Sequence, residues 1–308
     1  MDSIWWAVAR SEEVTGIKPL SVDIGERPIV LWRDRAGQAR ALEDRCPHRR
    51  APLSLGRVRE EGWIQCGYHG WSYDGETGRV REIPNLKHER RFSAVYRAEC
   101  YAVHEAAGFV RVAERPGDEP PRHAGLDAAS PMPISGTVHV ALDHERYLAT
   151  LFDEPGLLMS IAGVHFTTYL MAELHEEDGQ LVMERSCQWR RPHWPAAFSS
   201  DYPLTLVSST EPVTGETTLL LRDSDFRELL SVRLAPVPAG RGVTAVRWRA
   251  MWGKELPLTL KLLLQWRNAI KVRSTVDGAV LRTLKPTASV VFDALRRGPR
   301  PFRAQNTA

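Results

Sequence analysis

Four residues with metal-binding side chains stand in two short spacings. Cys46-Pro47-His48 is followed by seventeen residues and then by Cys66-Gly67-Tyr68-His69. Two cysteines and two histidines could hold a structural zinc ion. The pairing, however, is mixed: each segment offers one thiolate and one imidazole, where a zinc finger draws both cysteines from one knuckle and both histidines from a helix. Two such loops side by side can present two thiolates to one iron and two imidazoles to a second. Gly56, Gly67 and Gly70 around them leave room for backbone to approach a cluster whose sulfides need N–H donors. The reading from the residues is therefore an iron–sulfur centre, with zinc the less favoured alternative.

Strands must position these loops. Between 20 and 46, Ile29-Val30-Leu31-Trp32 and Ala39 to Leu42 flank the charged, Gly37-containing turn Arg33 to Gly37, the pattern of a strand meander with a hairpin. Trp63-Ile64-Gln65 and Gly70-Trp71-Ser72-Tyr73 are two more strand-like pieces, and Asp74-Gly75 signals a turn. Pro116, Pro120, Pro121, Pro131 and Pro133 then mark a break. The expected organisation is a metal-binding domain over 1–115, a linker over 116–135 and a second domain over 136–308.

In that second part, alternation of apolar and polar residues predicts strands at Thr137 to Leu142, Leu181 to Trp189, Leu204 to Ser209, Thr217 to Leu221 and Val243 to Trp252. Asp178-Gly179 and Thr214-Gly215-Glu216 are expected to turn the chain between strands. Helical patterns fall at about 144–154, 255–271 and 287–296. Long antiparallel strands with covering helices make the class α+β.

Composition excludes several roles. The formal charge is +3 over 308 residues, with basic and acidic residues interspersed, which argues against nucleic acid. Four dispersed cysteines are too few for a disulfide framework, so a reducing cytoplasm is expected; Cys100 and Cys187 read as small buried apolar residues. No stretch approaches the roughly 20 uninterrupted apolar residues of a membrane span, since Lys261 and Arg267 interrupt the nearest candidate.

CPHRRAPLSLG, CGYHGWSYDGETG and the opening MDSIWWAVARSEEV resemble the Rieske domain of Rieske non-haem iron oxygenases. That resemblance implies an all-β N-terminal domain with a [2Fe-2S] cluster, Cys46 and Cys66 on a buried iron, and His48 and His69 on an exposed one. Arg49 and Tyr68 stand where the respiratory branch carries an extra disulfide, so the resemblance is to the oxygenase branch. It further implies a ferredoxin or flavin-dependent reductase as electron donor, a small organic substrate, a homotrimer or related oxygenase subunit, and a mononuclear Fe(II) in the second domain.

The family holds that second iron with Asp-x-x-His-x4-His and a later carboxylate, a facial triad. Here Asp153 fits the bridging aspartate, but Gly156 and Ile161 stand at the histidine positions, and neither can bind iron. Asp277 fits the carboxylate position. The literal His139-x4-His144 lies too early and reads as a strand, on which residues five apart face opposite sides. His165 and His175 are expected on neighbouring strands, and His193 in a Pro-rich loop. The sequence thus carries two functional readings: an oxygenase with unorthodox iron ligands, and an electron-transfer or non-catalytic partner subunit without the mononuclear iron.

Overall fold

The computed structural model describes residues 4–86, 92–113, 134–161, 163–189, 202–253 and 270–276. The chain divides into two compact units, Met1–Pro131 and Met132–Ala308.

The first unit is all-β, in three small antiparallel sheets. β1 (Trp6–Arg10), β9 (Ala102–Ala106) and β10 (Phe109–Ala113) form one, with β10 central. The expected meander is β2 (Leu20–Ile24), β3 (Arg27–Arg33) and β4 (Ala39–Glu43). Asp34 organises its hairpin by accepting the N–H groups of Ala36 and Gln38 and pairing with Arg40 at 2.7 Å. The third sheet is a ladder of short strands, β5 (Arg57–Val58), β6 (Ile64–Gln65), β7 (Ser72–Tyr73) and β8 (Val80–Glu82). A core of Val30, Trp32, Leu42, Leu53, Ile64 and Tyr73 also encloses Cys46 and Cys66.

The second unit is built on one seven-stranded antiparallel sheet. Its strands are β11 (Ile134–Val140), β13 (Val164–Glu177), β14 (Gln180–Trp189), β15 (Tyr202–Thr210), β16 (Thr217–Arg222), β17 (Glu228–Pro238) and β18 (Thr244–Trp252), in the order β11-β18-β17-β16-β15-β14-β13. Asp178 and Gly179 both take positive φ at the turn between β13 and β14, as a tight primed turn demands. The helices α1 (His144–Asp153) and α2 (Pro155–Leu158) lead into a small pair, β12 (Met159–Ile161) with β19 (Ile270–Val272). The Asp143 side chain caps α1 by accepting the Arg146 N–H. Tyr147, Leu148 and Leu151 of α1 belong to one apolar cluster with Leu204, Leu206, Leu219, Leu230, Val232 and Leu234 from the sheet.

Several expectations change. β11 begins at Ile134, two residues inside the expected linker. β17 was not expected, although Leu230, Val232 and Leu234 alternate with Ser231 and Arg233; all five are buried, and Ala235-Pro236 end the alternation. Pro236 is tolerated because β16 pairs with β17 only as far as Leu234, leaving the missing N–H on an open side. Ile270 and Lys271, expected as the end of a helix, lie in β19; the rest of that helix, the one at 287–296, and most of 116–135 fall outside the described residues.

Candidate metal centre

Cys46 and Cys66 open two loops with one hydrogen-bond plan. In the first, the Cys46 N–H donates to Ala51 O at 2.8 Å and the Arg50 N–H donates to Cys46 O at 2.7 Å. In the second, the Cys66 N–H donates to Trp71 O at 2.8 Å and the Gly70 N–H to Cys66 O at 3.1 Å. Each loop therefore closes between a cysteine and the fifth residue after it, with a left-handed residue at the fourth, Arg50 at φ 58° and Gly70 at φ 74°.

The surroundings hold the loops in place. Asp44 accepts from the Ser54 N–H at 2.7 Å and the Ser21 hydroxyl at 2.9 Å, anchoring the base of the first. Gln65 donates to Gly70 O at 3.0 Å while its carbonyl accepts from Arg57, bracing the second. Gly56 and Gly67 also serve a contact between the loops themselves. A Cβ on Gly56 would fall 1.9 Å from Gln65 O, and one on Gly67 would fall 3.0 Å from Leu55 O. They let the two loop regions pack backbone against backbone.

This packing sorts the four side chains into like pairs. Cys46 and Cys66 are each 2% exposed, and Cys46 is near enough to disfavour the Cys66 thiolate. The imidazoles of His48 and His69 meet with ring centroids 4.7 Å apart, His48 half-buried and His69 exposed. Trp71 stacks flat on His48 at 4.4 Å and 4°, and Tyr68 lies over His69 at 3.9 Å. Tyr73, missed in the sequence reading because nothing in its spacing marks it, places its hydroxyl 3.1 Å from Cys46 Sγ.

Burial pushes the Cys66 thiol up, against the N–H groups of Tyr68 and His69, which favour its thiolate; the adjacent Cys46 adds to the rise. Burial, then His69 and Arg49, holds His48 below the ordinary histidine range, so its ring is a neutral acceptor. His48 Nδ1 is buried with no hydrogen-bond partner among the described residues. A buried ring nitrogen without a partner, two buried thiols and the N–H groups of Tyr68 and His69 directed at Cys66 Sγ fit a metal–sulfur centre and are costly without one.

In the second unit, Asp153 is the last residue of α1. Buried Arg185 ties that helix end down: its guanidinium donates to Phe152 O at 2.6 Å, Asp153 O at 2.9 Å and Thr167 O at 2.7 Å. Gly156 lies in α2 and Ile161, with an apolar buried side chain, in β12. His139 lies on β11, but His144 does not share that strand; it is the first residue of α1, with Nε2 2.9 Å from Thr214 O. His165 and His175 lie on one strand, β13, not on neighbouring ones. β13 is bulged between them, and their partners on β14, Gln188 and Val182, are six residues apart, which separates the two histidines by roughly 20 Å, so they cannot share an ion. Asp277 and His193 lie outside the described residues. Among the described residues, no three His, Cys, Asp or Glu side chains converge as an ion would require.

Residues 4–102 match the family model of the Rieske [2Fe-2S] domain. The chain is 31% identical over 282 residues to protein TIC 55 of Arabidopsis thaliana, covering 87% of this chain and 50% of that one. It is 36% identical over 155 residues to the vanillate O-demethylase oxygenase subunit of Pseudomonas sp. (strain HR199 / DSM 7063), covering 48% and 42%. The structure of dicamba monooxygenase bound to 3,6-dichlorosalicylic acid superposes with a TM-score of 0.66 at 18% identity, over 98% of this chain and 92% of that one. The chain spans half or less of the length of these two curated relatives. The fold and the matched domain define a Rieske-type iron–sulfur protein. More particularly, that domain is of the kind carried by Rieske oxygenases, among them the vanillate O-demethylase oxygenase subunit that the chain matches over 155 residues. No helix among the described residues is long and apolar enough to cross a membrane.

Proposed function

We propose that Cys46, His48, Cys66 and His69 hold the [2Fe-2S] cluster of this domain, the two cysteines on one iron and the two histidines on the other. The observation that carries this is the sorting into a buried cysteine pair and an outward histidine pair. The cluster supplies one-electron transfer, at a potential raised by its neutral imidazoles. The chain's own residues tune it. Tyr73 faces Cys46 Sγ, the N–H groups of Tyr68 and His69 face Cys66 Sγ, and Trp71 fixes the plane of His48.

The wider reading is an oxygenase-type oxidoreductase of the cytoplasm, acting on a small organic molecule by hydroxylation, demethylation or desaturation. A ferredoxin or flavin-dependent reductase would supply its electrons, and a homotrimer or assembly with a related oxygenase subunit would bring one chain's cluster beside another's second domain. In it Asp153 is the electron bridge and Asp277 an iron carboxylate. A specific observation favours the second reading, an electron-transfer or non-catalytic partner subunit: Gly156 and Ile161 have no atom to give a mononuclear Fe(II).

One experiment separates the two. Reduced protein, supplied with a reductase and a panel of aromatic methyl ethers and chlorinated benzoates, either consumes oxygen in a substrate-dependent way or passes electrons only to an added acceptor. Absence of any rhombic signal with average g below 2 in reduced protein would remove both.

A further inference from the structure

One charge is set into an apolar row of the second unit. Leu181, Met183, Arg185 and Cys187 alternate along β14 toward the same face, and Leu181, Met183 and Cys187 lie in apolar clusters. Arg185 is only 3% exposed. Its guanidinium bonds backbone oxygens: Phe152 O at 2.6 Å, Asp153 O at 2.9 Å and Thr167 O at 2.7 Å. Nε is buried with no partner among the described residues, so these three carbonyls are what the cation has in place of water.

The end of α1 calls for a cation. Its last turn holds no basic residue, and Pro155 has no N–H with which to extend the ladder. The terminal carbonyls of a helix lack intrahelical donors and carry the negative end of its dipole. The cation is brought instead from β14, 33 residues along the chain from Phe152. Burial works against its charge, whereas Glu154, Cys187 and Asp153 work for it, and an arginine so placed keeps its proton. Carbonyls beside carboxylates are also the oxygen set that a hard divalent ion takes. This is the segment, Asp153 to Ile161, at which the resemblance places a mononuclear iron, and Gly156 and Ile161 offer that iron nothing. Gly156 itself stands against Phe166, the neighbour of Thr167, where a Cβ would fall 3.4 Å from Cδ2.

We propose that the Arg185 guanidinium is the resident cation of this oxygen-lined position at the end of α1, and that by filling it the chain keeps divalent metal ions out of the segment from Asp153 to Ile161. A fixed positive charge with little water to screen it repels a second cation. The inference deepens the electron-transfer or partner-subunit reading above and rests on it for its functional meaning; as a statement about cation binding it is tested apart from it.

The probe is Mn(II), whose free ion is counted by electron resonance. It is titrated into the full chain with its cluster oxidised, in the parent and in Arg185→Ala, Arg185→Gln and Arg185→Lys. Arg185→Gln keeps a donor for the carbonyls without the charge, and so carries the test where Arg185→Ala does not fold. The two neutral variants are expected to take up about one Mn(II) per chain, roughly tenfold or more tightly than the parent, because the buried like charge is gone. Mn(II) should also raise their melting temperature and leave that of the parent unchanged, and Arg185→Lys should behave as the parent does. No saturable uptake by a folded neutral variant, or uptake by the parent or Arg185→Lys as tight as theirs, would overturn the proposal. Three irons in the parent, with Mn(II) taken up only by the neutral variants, would sink the partner-subunit reading and leave the cation site standing. Two irons in the parent with no uptake by those variants would do the reverse.

Discussion

Arg50 and Gly70 occupy the same place in two loops: each lies four residues after a cysteine, each donates its N–H to that cysteine's carbonyl, and each has a positive φ. The left-handed conformation is natural for glycine and costs an L-residue about 1–2 kcal/mol. The two positions should therefore respond oppositely to substitution. Arg50→Gly loses an exposed ion pair with Glu43, worth at most about 1 kcal/mol, and is expected to be neutral or mildly stabilising. Gly70→Ala gains strain and sets its Cβ 2.9 Å from Pro84 Cγ; about 1–3 kcal/mol of destabilisation is expected. Denaturant unfolding of the two holo variants compares them, and equal losses would contradict this account.

Tyr73→Phe tests the sulfur end. With Cys46 a thiolate, only the hydroxyl can be the donor across the 3.1 Å contact. A donor to sulfur favours the reduced, more negative centre, so its removal should lower the reduction potential. A hydrogen bond of about 1 kcal/mol corresponds to roughly 40 mV for a one-electron couple. A redox titration followed by electron resonance reads the shift, and an unchanged or raised potential would be inconsistent.

His48→Ala and His69→Ala should each abolish the visible absorption and the resonance signal of the intact cluster. Signal retained in both, or one zinc per chain without iron or sulfide in anaerobically prepared protein, would return the centre to structural zinc.

Iron analysis addresses the second unit. With Gly156 and Ile161 at the histidine positions, the expected content is about two irons per chain, those of one cluster. A third iron, lost on Asp277→Ala while the cluster signal persists, would establish a relocated ligand set and restore a complete oxygenase.

Asp74 gives the first unit a pH dependence. Burial alone would raise its carboxyl, but Thr77, through its hydroxyl and N–H, and the Arg81 guanidinium hold it below the ordinary value of 3.8. The folded pKa lies below the unfolded one, so the stabilisation is complete above the unfolded value and is lost as pH falls through the folded value. Asp74→Asn should be less stable than the parent by about 1–3 kcal/mol at pH 7, with the gap closing only below about pH 4. A gap that persists unchanged at pH 2.5 would exclude the carboxylate as its source.

The metal loops were legible because their chemistry is local: a thiol and an imidazole two or three residues apart can serve only a few centres. Tyr73 was not, since its partner Cys46 lies 27 residues away and only the fold brings them together. Burial and polarity part company in neighbouring strands: every second residue of β16 is buried although its sequence does not alternate, whereas β17 alternates over Leu230 to Leu234 although both its faces are buried. Sequence could name His165 and His175 but could not tell that one long strand holds them apart. Sequence marked Gly56 and Gly67 as places of close approach but could not name the neighbouring loop as one partner.

The strand order of the second unit carries a consequence for its assembly from the unfolded chain. From β13 to β18 every pairing joins consecutive strands, so each closes a shorter loop than β11 with β18 does and can form earlier. β11 instead pairs with β18, and Thr244 reaches back 102 residues to Leu142 O. That closure carries the largest loop entropy of the sheet and gains contacts only once β18 is already in place. β11 is thus the last strand to join, and its amides should be the first of the sheet to exchange with solvent deuterium under native conditions.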